Sequence, residues 1–182
     1  VVKTEIDEIK TILNSLKFEL TESQKKSLWE IIKDIGRPFP MNRLLQGDVG
    51  SGKTIIAAIA ALSTAKNGFQ AAFMAPTEIL ARQHYETFKK TFNDLNCGVA
   101  LLTSNAAKIF YGTNLETEIK KEILKKEIKE NKIKIIIGTH AIIQKNVEIP
   151  KIALVIVDEQ HRFGVRQRAA LIKTPNSSSV PH

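Results

Sequence analysis

Cysteine is almost missing from this sequence: Cys97 stands alone among 182 residues. One thiol cannot form an internal disulfide or a cysteine-based zinc cluster, which excludes stapled secreted scaffolds and cysteine-built metal centres. Any metal therefore has to arrive with a ligand. Long apolar runs are missing too. No stretch approaches the roughly 18 consecutive apolar residues of a membrane-spanning helix, and the opening VVKTEIDEIK lacks the charged-then-apolar order of a secretory signal. A soluble, cytoplasmic chain with no membrane partner is the expectation. There is no internal repeat, and the only biased segment is one lysine-rich stretch. With 43% hydrophobic and 25% charged residues, the composition is that of a packed globular domain and not of a disordered chain. The length suits one domain plus a tail at roughly 100–200 residues per domain.

Acidic residues are outnumbered, 19 against 27 Lys and Arg, for a net charge of +8. Such an excess suits a polyanionic partner such as nucleic acid. Seven lysines against three glutamates fall within 120–134, however, and a run of that kind equally makes a solvated helix face. Charge alone leaves both readings open.

Apolar runs of strand length recur at 43–45, 70–74, 134–137 and 152–157, with a weaker one at 99–102. Those at 70–74, 134–137 and 152–157 are too uniformly apolar to keep a wet face, the mark of strands buried on both sides of a parallel sheet. Helical patterns alternate with them: an Ala/Ile-rich helix over 54–65, an amphipathic one over 79–92, and one over 115–131 in which Leu115, Ile119, Ile123 and Ile128 recur near helical period. Strand alternating with helix predicts a doubly wound α/β layer with helices on both faces. Ahead of it, 6–16 reads as a helix or the end of a linker. Thr21 followed by Gln24 opens a helix to Ile35 as a capping box, and Gly36-Arg37-Pro38-Phe39-Pro40 ends it. Residues 173–182 show no periodicity and read as a loop or frayed tail.

Gly47-Asp48-Val49-Gly50-Ser51-Gly52-Lys53-Thr54 satisfies the phosphate-loop pattern G-x-x-x-x-G-K-[ST] at every fixed position, after a short expected strand and before a helix. Glycines let the backbone curl until several N–H groups face the phosphates, and the following helix adds its positive end. Lys53 is placed to reach the β- and γ-phosphates and the Thr54 hydroxyl to ligate Mg²⁺. The bland alternative is a glycine-rich turn with an incidental lysine.

Further along, the apolar strand Leu154-Val155-Ile156-Val157 ends in Asp158-Glu159. In open α/β sheets ligands bind at the carboxyl ends of the strands. There Asp158 suits Mg²⁺ held through its water shell, and Glu159 suits orienting and deprotonating an attacking water. Taken alone, Asp-Glu after a strand is also an ordinary helix start favoured by the dipole.

The phosphate loop together with Asp158-Glu159-Gln160-His161 resembles the DExH group of superfamily-two helicases. Leu44-Leu45-Gln46 before the loop, Met74-Ala75-Pro76-Thr77-Glu78-Ile79-Leu80-Ala81-Arg82-Gln83-His84, Gly138-Thr139-His140-Ala141, and Arg162-Phe163-Gly164-Val165 after the acid pair narrow the likeness. Over 18–171 the chain resembles the first motor lobe of the RecG family of DNA branch-migration helicases. The transcription-repair coupling translocase is similar, but usually has Glu where this chain has Gln160.

The resemblance implies a RecA-like lobe over 18–172, entered by 1–17 and followed by a tail at 173–182. ATP and Mg²⁺ are the implied cofactors, and forked or branched DNA the implied partner. It implies that Gln24 reads adenine, with Phe18 near, although the capping box accounts for Thr21 and Gln24 as well. It further implies DNA contacts at Pro76, Thr77, Arg82, Thr139 and His140, and a role for His161 in coupling the ATP site to DNA. As bare sequence each of these segments is only a strand-to-helix turn, and lone histidines at strand ends are usually hydrogen-bonding residues. The chain departs from the family where Ser104-Asn105, and not Gly-Ser, follows Leu101-Leu102-Thr103, with a longer lysine-rich stretch to Asn131. The next family motif, a Thr-Ala-Thr or Ser-Ala-Thr segment, would begin about Val180-Pro181-His182, so the second lobe and the N-terminal wedge domain are expected outside this sequence. An ATP-binding helicase lobe is thus expected, with feeble hydrolysis unless a second lobe is supplied. The competing readings are a basic module that contacts DNA or protein without cycling ATP, and a small phosphate-loop kinase, for which no acceptor site is evident.

Overall fold

The computed structural model describes residues 2, 6–48, 50–92, 97–112, 115–144, 146–159, 162 and 181–182. Along the chain run α1 (Ile6–Asn14), α2 (Glu22–Ile35), α3 (Lys53–Lys66), β1 (Gln70–Met74), α4 (Glu78–Thr91), β2 (Gly98–Leu102), β3 (Ala107–Phe110), β4 (Glu116–Glu118), α5 (Lys121–Lys129), β5 (Ile133–Gly138), a 3₁₀ turn (His140–Ile143) and β6 (Ile152–Val157). Among the described residues, no helix is long and apolar enough to cross a membrane.

The six strands form one sheet in the order β4-β3-β2-β5-β1-β6, with β2, β5, β1 and β6 parallel and β3 and β4 added antiparallel at one edge. Side chains alternate across a strand, and here both faces are dry. Phe73 of β1, Leu101 of β2 and Ile135 of β5 pack with α1 to α4, whereas Met74, Leu102 and Ile136 from the same strands pack with α5 and the 3₁₀ turn. Two-sided burial is why these strands read as unbroken apolar runs, and helices lie on both faces as expected. Burying each large apolar side chain contributes about 1.5–3 kcal/mol. Gln70, fully buried at the start of β1, is satisfied on both ends of its amide: Nε2 donates to the Ile128 and Ile133 carbonyls at 2.9 Å each, and Oε1 accepts from Lys151 N–H at 3.0 Å.

Two expectations differ from the structure. The segment 43–45, expected as a strand, has no ladder. Arg43 is drawn to α2 by Asp34 and Glu30, and Leu44 is exposed. His182, in the stretch read as a loop or frayed tail, is bonded to β6: its N–H donates to Ala153 O at 2.9 Å, its carbonyl accepts from Val155 N–H at 2.8 Å, and its Nδ1 accepts from Met41 N–H at 3.0 Å. Burial holds its imidazole pKa below the usual value. The helix expected over 115–131 is a short strand, β4, followed by α5. Leu115 and Ile123 are exposed while Leu124 and Ile128 are fully buried, so the four-residue spacing from Leu115 did not mark one face. Glu116 instead joins the edge ladder opposite Phe110 and binds Lys89 and Lys108.

Candidate nucleotide site

The loop before α3 curls because Gly50 and Gly52 take positive φ, 82° and 83°. At residue 52 a side chain would also run into the Gln24 amide, whose Cδ lies 3.3 Å from the Cβ position. Lys53 is the first residue of α3, and no side chain among the described residues caps that N-terminus, so its first N–H groups stay available to an anion. The Lys53 ammonium bends back into the loop, donating to the Gly47 carbonyl at 2.5 Å and the Asp48 carbonyl at 2.6 Å, with Ser51 Oγ at 3.4 Å. A ring of oxygen acceptors around this cation is the arrangement that phosphate oxygens can take over. Val49 lies outside the described residues.

On α2 the capping box is complete: Thr21 Oγ1 accepts from Gln24 N–H at 3.3 Å and Gln24 Oε1 accepts from Thr21 N–H at 2.8 Å. The other end of the same amide crosses to the phosphate loop, where Nε2 donates to Ser51 O at 2.8 Å. Gln24 therefore serves as a cap and as a tether of the loop. Phe18 is exposed nearby in sequence.

Asp158 follows β6, and its N–H is held by Met74 O at 2.8 Å. Its carboxylate accepts from His84 Nε2 on α4 at 2.7 Å. Glu159 is exposed and takes the left-handed region at φ 50°, a conformation costing about 1–2 kcal/mol outside glycine and one that concentrates at functional sites. Gly47, Lys53 and Thr54 on one side and Asp158 and Glu159 on the other line a single cleft of about 540 Å³. The Thr54 hydroxyl and the Asp158 carboxylate are hard oxygen donors, a set that suits Mg²⁺ when phosphates and water complete its shell. Arg43 lines the cleft as well, yet its guanidinium is engaged by Asp34 at 2.5 Å and Glu30 at 2.8 Å, and it holds the Asp34 carboxyl below the ordinary carboxylate range. Gln160 and His161 lie outside the described residues.

Strand register gathers the remaining candidates. Met74 is opposite Gly138 in β5 and Val157 in β6, so the turns after β1, β5 and β6 leave the sheet side by side. Thr77 caps α4, its Oγ1 accepting from Leu80 N–H at 3.3 Å, and Pro76 is half-buried beside it. Arg82, exposed on the next turn, is bound to Glu78 at 2.7 Å. His140 is exposed, while the Thr139 hydroxyl is buried without a hydrogen-bond partner among the described residues. Sequence reasoning missed His84 and Arg43: one looks like any histidine on an amphipathic helix, the other like the start of a strand, and their partners are far away in sequence. Gly138 was quoted only as part of a motif, although a Cβ there would collide with Leu102 O.

A largely parallel sheet with helices on both faces, a phosphate-loop curl into α3 and an acid pair leaving β6 define a RecA-like nucleotide-binding lobe. Comparison with known proteins places it further. The DEAD/DEAH box helicase family model matches residues 7–178, and the chain belongs to that family. It is similar to the ATP-dependent DNA helicase RecG of Aquifex aeolicus, 45% identical over 94% of this chain and 21% of that protein, and to RecG of Thermotoga maritima, 48% identical over 88% and 19%. The chain thus spans about a fifth of the length of these curated relatives. A structure of RecG bound to a three-way DNA junction superposes with a TM-score of 0.77 at 41% identity, covering 96% of this chain and 22% of that one. A DEAD box protein from Methanococcus jannaschii shares the fold, with a TM-score of 0.62 at 20% identity, covering all of this chain and 52% of that one.

Proposed function

We propose that this chain is the ATP-binding lobe of a cytoplasmic, ATP-dependent DNA helicase acting on forked or branched DNA in recombination and repair. The lobe spans 18–172, with 1–17 leading in and 173–182 leading out towards a second lobe. The observation that carries this is the convergence of Lys53, Thr54, Asp158 and Glu159 on one cleft, in a chain similar to RecG over nearly its whole length.

In this reading the loop residues Gly47 to Thr54, Val49 included, cradle the phosphates, Lys53 neutralises the β- and γ-oxygens, and Gln24 reads adenine after releasing Ser51. Thr54 and Asp158 would hold Mg²⁺, which supplies charge neutralisation on the phosphates when bound. Glu159 orients the attacking water and takes its proton, and His161 relays the state of the site to DNA. Pro76, Thr77, Arg82, Thr139 and His140, gathered at neighbouring strand ends, contact one DNA strand, chiefly through phosphates. Phosphoryl transfer draws an arginine across the cleft, a contribution on the order of 10³ to 10⁵ in rate. Among the described residues that line the cleft, Arg43 is the one arginine and is occupied by two carboxylates; in this reading the arginine comes from a second lobe.

The test is ATP hydrolysis by this chain with Mg²⁺, with and without forked DNA, beside a Glu159→Gln variant. The expected result is bound nucleotide with turnover near background. Turnover well above background that is equally fast in wild type and Glu159→Gln, or a chain that binds no nucleotide, would refute the proposal.

A further inference from the structure

The contact between His84 and Asp158 has no part in the scheme above, although it joins a buried side chain to the carboxylate at the mouth of the cleft. Nε2 of His84 stands 2.7 Å from Asp158 Oδ2, and the histidine side chain is only 10% exposed. A carboxylate has acceptors only, so the ring nitrogen donates. The imidazole is fixed from behind by Phe73, with ring centroids 4.5 Å apart, and Phe73 lies in β1, alongside β6. Three constraints therefore converge on Asp158: its N–H is tied to Met74, its chain direction is set by β6, and one carboxylate oxygen is held by a ring that cannot swing away. Asp158 itself is about one-third exposed. An unsupported carboxylate with that much freedom would sample several rotamers and lose entropy on meeting a cation. His84 also sits on α4, whose first turns carry Thr77 and Arg82.

We infer that His84 is a positioning residue for the metal carboxylate: it holds Asp158 in the orientation that receives nucleotide-bound Mg²⁺. The inference rests on the proposed nucleotide site and adds a residue to it. Partners that orient a metal-binding carboxylate typically contribute 10- to 100-fold in metal affinity. His84 touches neither nucleotide nor metal, so its effect falls on the magnesium dependence of binding and not on nucleotide affinity without metal.

The experiment titrates the 182-residue chain with a fluorescent ADP, mant-ADP, first in EDTA and then at rising Mg²⁺, and compares wild type with His84→Phe and His84→Gln. Phenylalanine keeps the stack on Phe73 and removes the donor, and glutamine keeps an N–H donor at similar reach. The expected result is a Mg²⁺ half-saturation point about tenfold higher in His84→Phe, an EDTA affinity within about twofold of wild type, and recovery in His84→Gln. Should the Phe variant fail to fold, His84→Leu, which likewise has no donor, makes the same comparison. Unchanged half-saturation in the donor-less variant, or equal weakening in EDTA and in Mg²⁺, would overturn the inference while leaving the nucleotide site standing. A wild-type chain that binds no mant-ADP would overturn the nucleotide site, and this inference with it.

Discussion

Gly138→Ala is expected to loosen the sheet at the point where its central strands run closest to the site. Gly138 ends β5, with Leu102 of β2 on one side and Met74 of β1 on the other. A methyl group there would be driven into the Leu102 carbonyl oxygen, with the carbonyl carbon at 2.9 Å and Ile142 Cδ1 at 3.2 Å. Two of these three neighbours are backbone atoms within the sheet and cannot rotate aside. Relief requires β5 to separate from β2, which stretches the Thr139 N–H to Leu102 O bond, already 3.4 Å, and disturbs Ala75 N–H to Gly138 O at 2.9 Å. Overpacking costs about 1–3 kcal/mol and each of the two weakened hydrogen bonds about 0.5–1.5 kcal/mol, so the total is about 2–6 kcal/mol. Against a stability of roughly 5–15 kcal/mol, and at about 2–4 °C per kcal/mol for a chain this size, Tm falls on the order of 10 °C. Gly68→Ala is the control: its φ is positive, 82°, unlike that of Gly138, and nothing lies within 4 Å of the new methyl, so only the left-handed cost of about 1–2 kcal/mol applies. Calorimetry or circular dichroism melts read both. A Gly138→Ala melt within about 2 °C of wild type, or one no lower than Gly68→Ala, would refute the close approach.

Gln24→Glu keeps an oxygen for Thr21 N–H but sets a carboxylate against Ser51 O in place of a donor, so it should destabilise the chain by about 1–2 kcal/mol and weaken nucleotide binding; a melt unchanged from wild type would contradict the tether. The hydrogen bond from Arg82, followed by that from Asn105, holds the Glu78 carboxyl below the usual glutamate value. A depressed folded value means that this contribution to stability is present above the unfolded pKa and is lost as pH falls through the folded one. Arg82→Ala should therefore raise the Glu78 midpoint in an NMR titration, and an unmoved midpoint would contradict the pair. Freed of Arg82's carboxylate partner, a Glu78→Ala chain should bind forked DNA more tightly at low salt and with a steeper salt dependence; unchanged binding would remove Arg82 from the DNA contacts. Burial pushes the Cys97 thiol up to about 11, so at pH 8 a thiol reagent such as DTNB should react only slowly until denaturant opens the fold, and immediate modification would be inconsistent with that burial.

The elements legible in the sequence are those whose environment is simple. β1 and β5 are largely buried on both faces and read as solid apolar runs, β6 reads as one although four of its six residues are only half-buried, and the capping box of α2 is spelled by Thr21 and Gln24 themselves. The phosphate loop is legible because its glycines answer a local backbone demand, visible as positive φ at Gly50 and Gly52. What escaped depends on partners distant in the chain. Glu116-Thr117-Glu118 carries no apolar signal and is a strand only because β3 offers it a ladder. Residues 43–45 carry the apolar signal without the ladder, and a strand needs the neighbour as much as the pattern. His84 and Asp158 are 74 positions apart, and no periodicity encodes their meeting.

The most direct test of the account is equilibrium binding of a fluorescent ATP analogue to this chain and to Lys53→Ala. The Lys53 ammonium has three loop oxygens as its present acceptors, and a charge-assisted contact to phosphate contributes about 1.5–3 kcal/mol. Wild type should bind the analogue, and Lys53→Ala, melting at the same temperature, should bind at least about tenfold more weakly. Equal binding by the two folded chains would contradict the account, because the loop would then hold no phosphate.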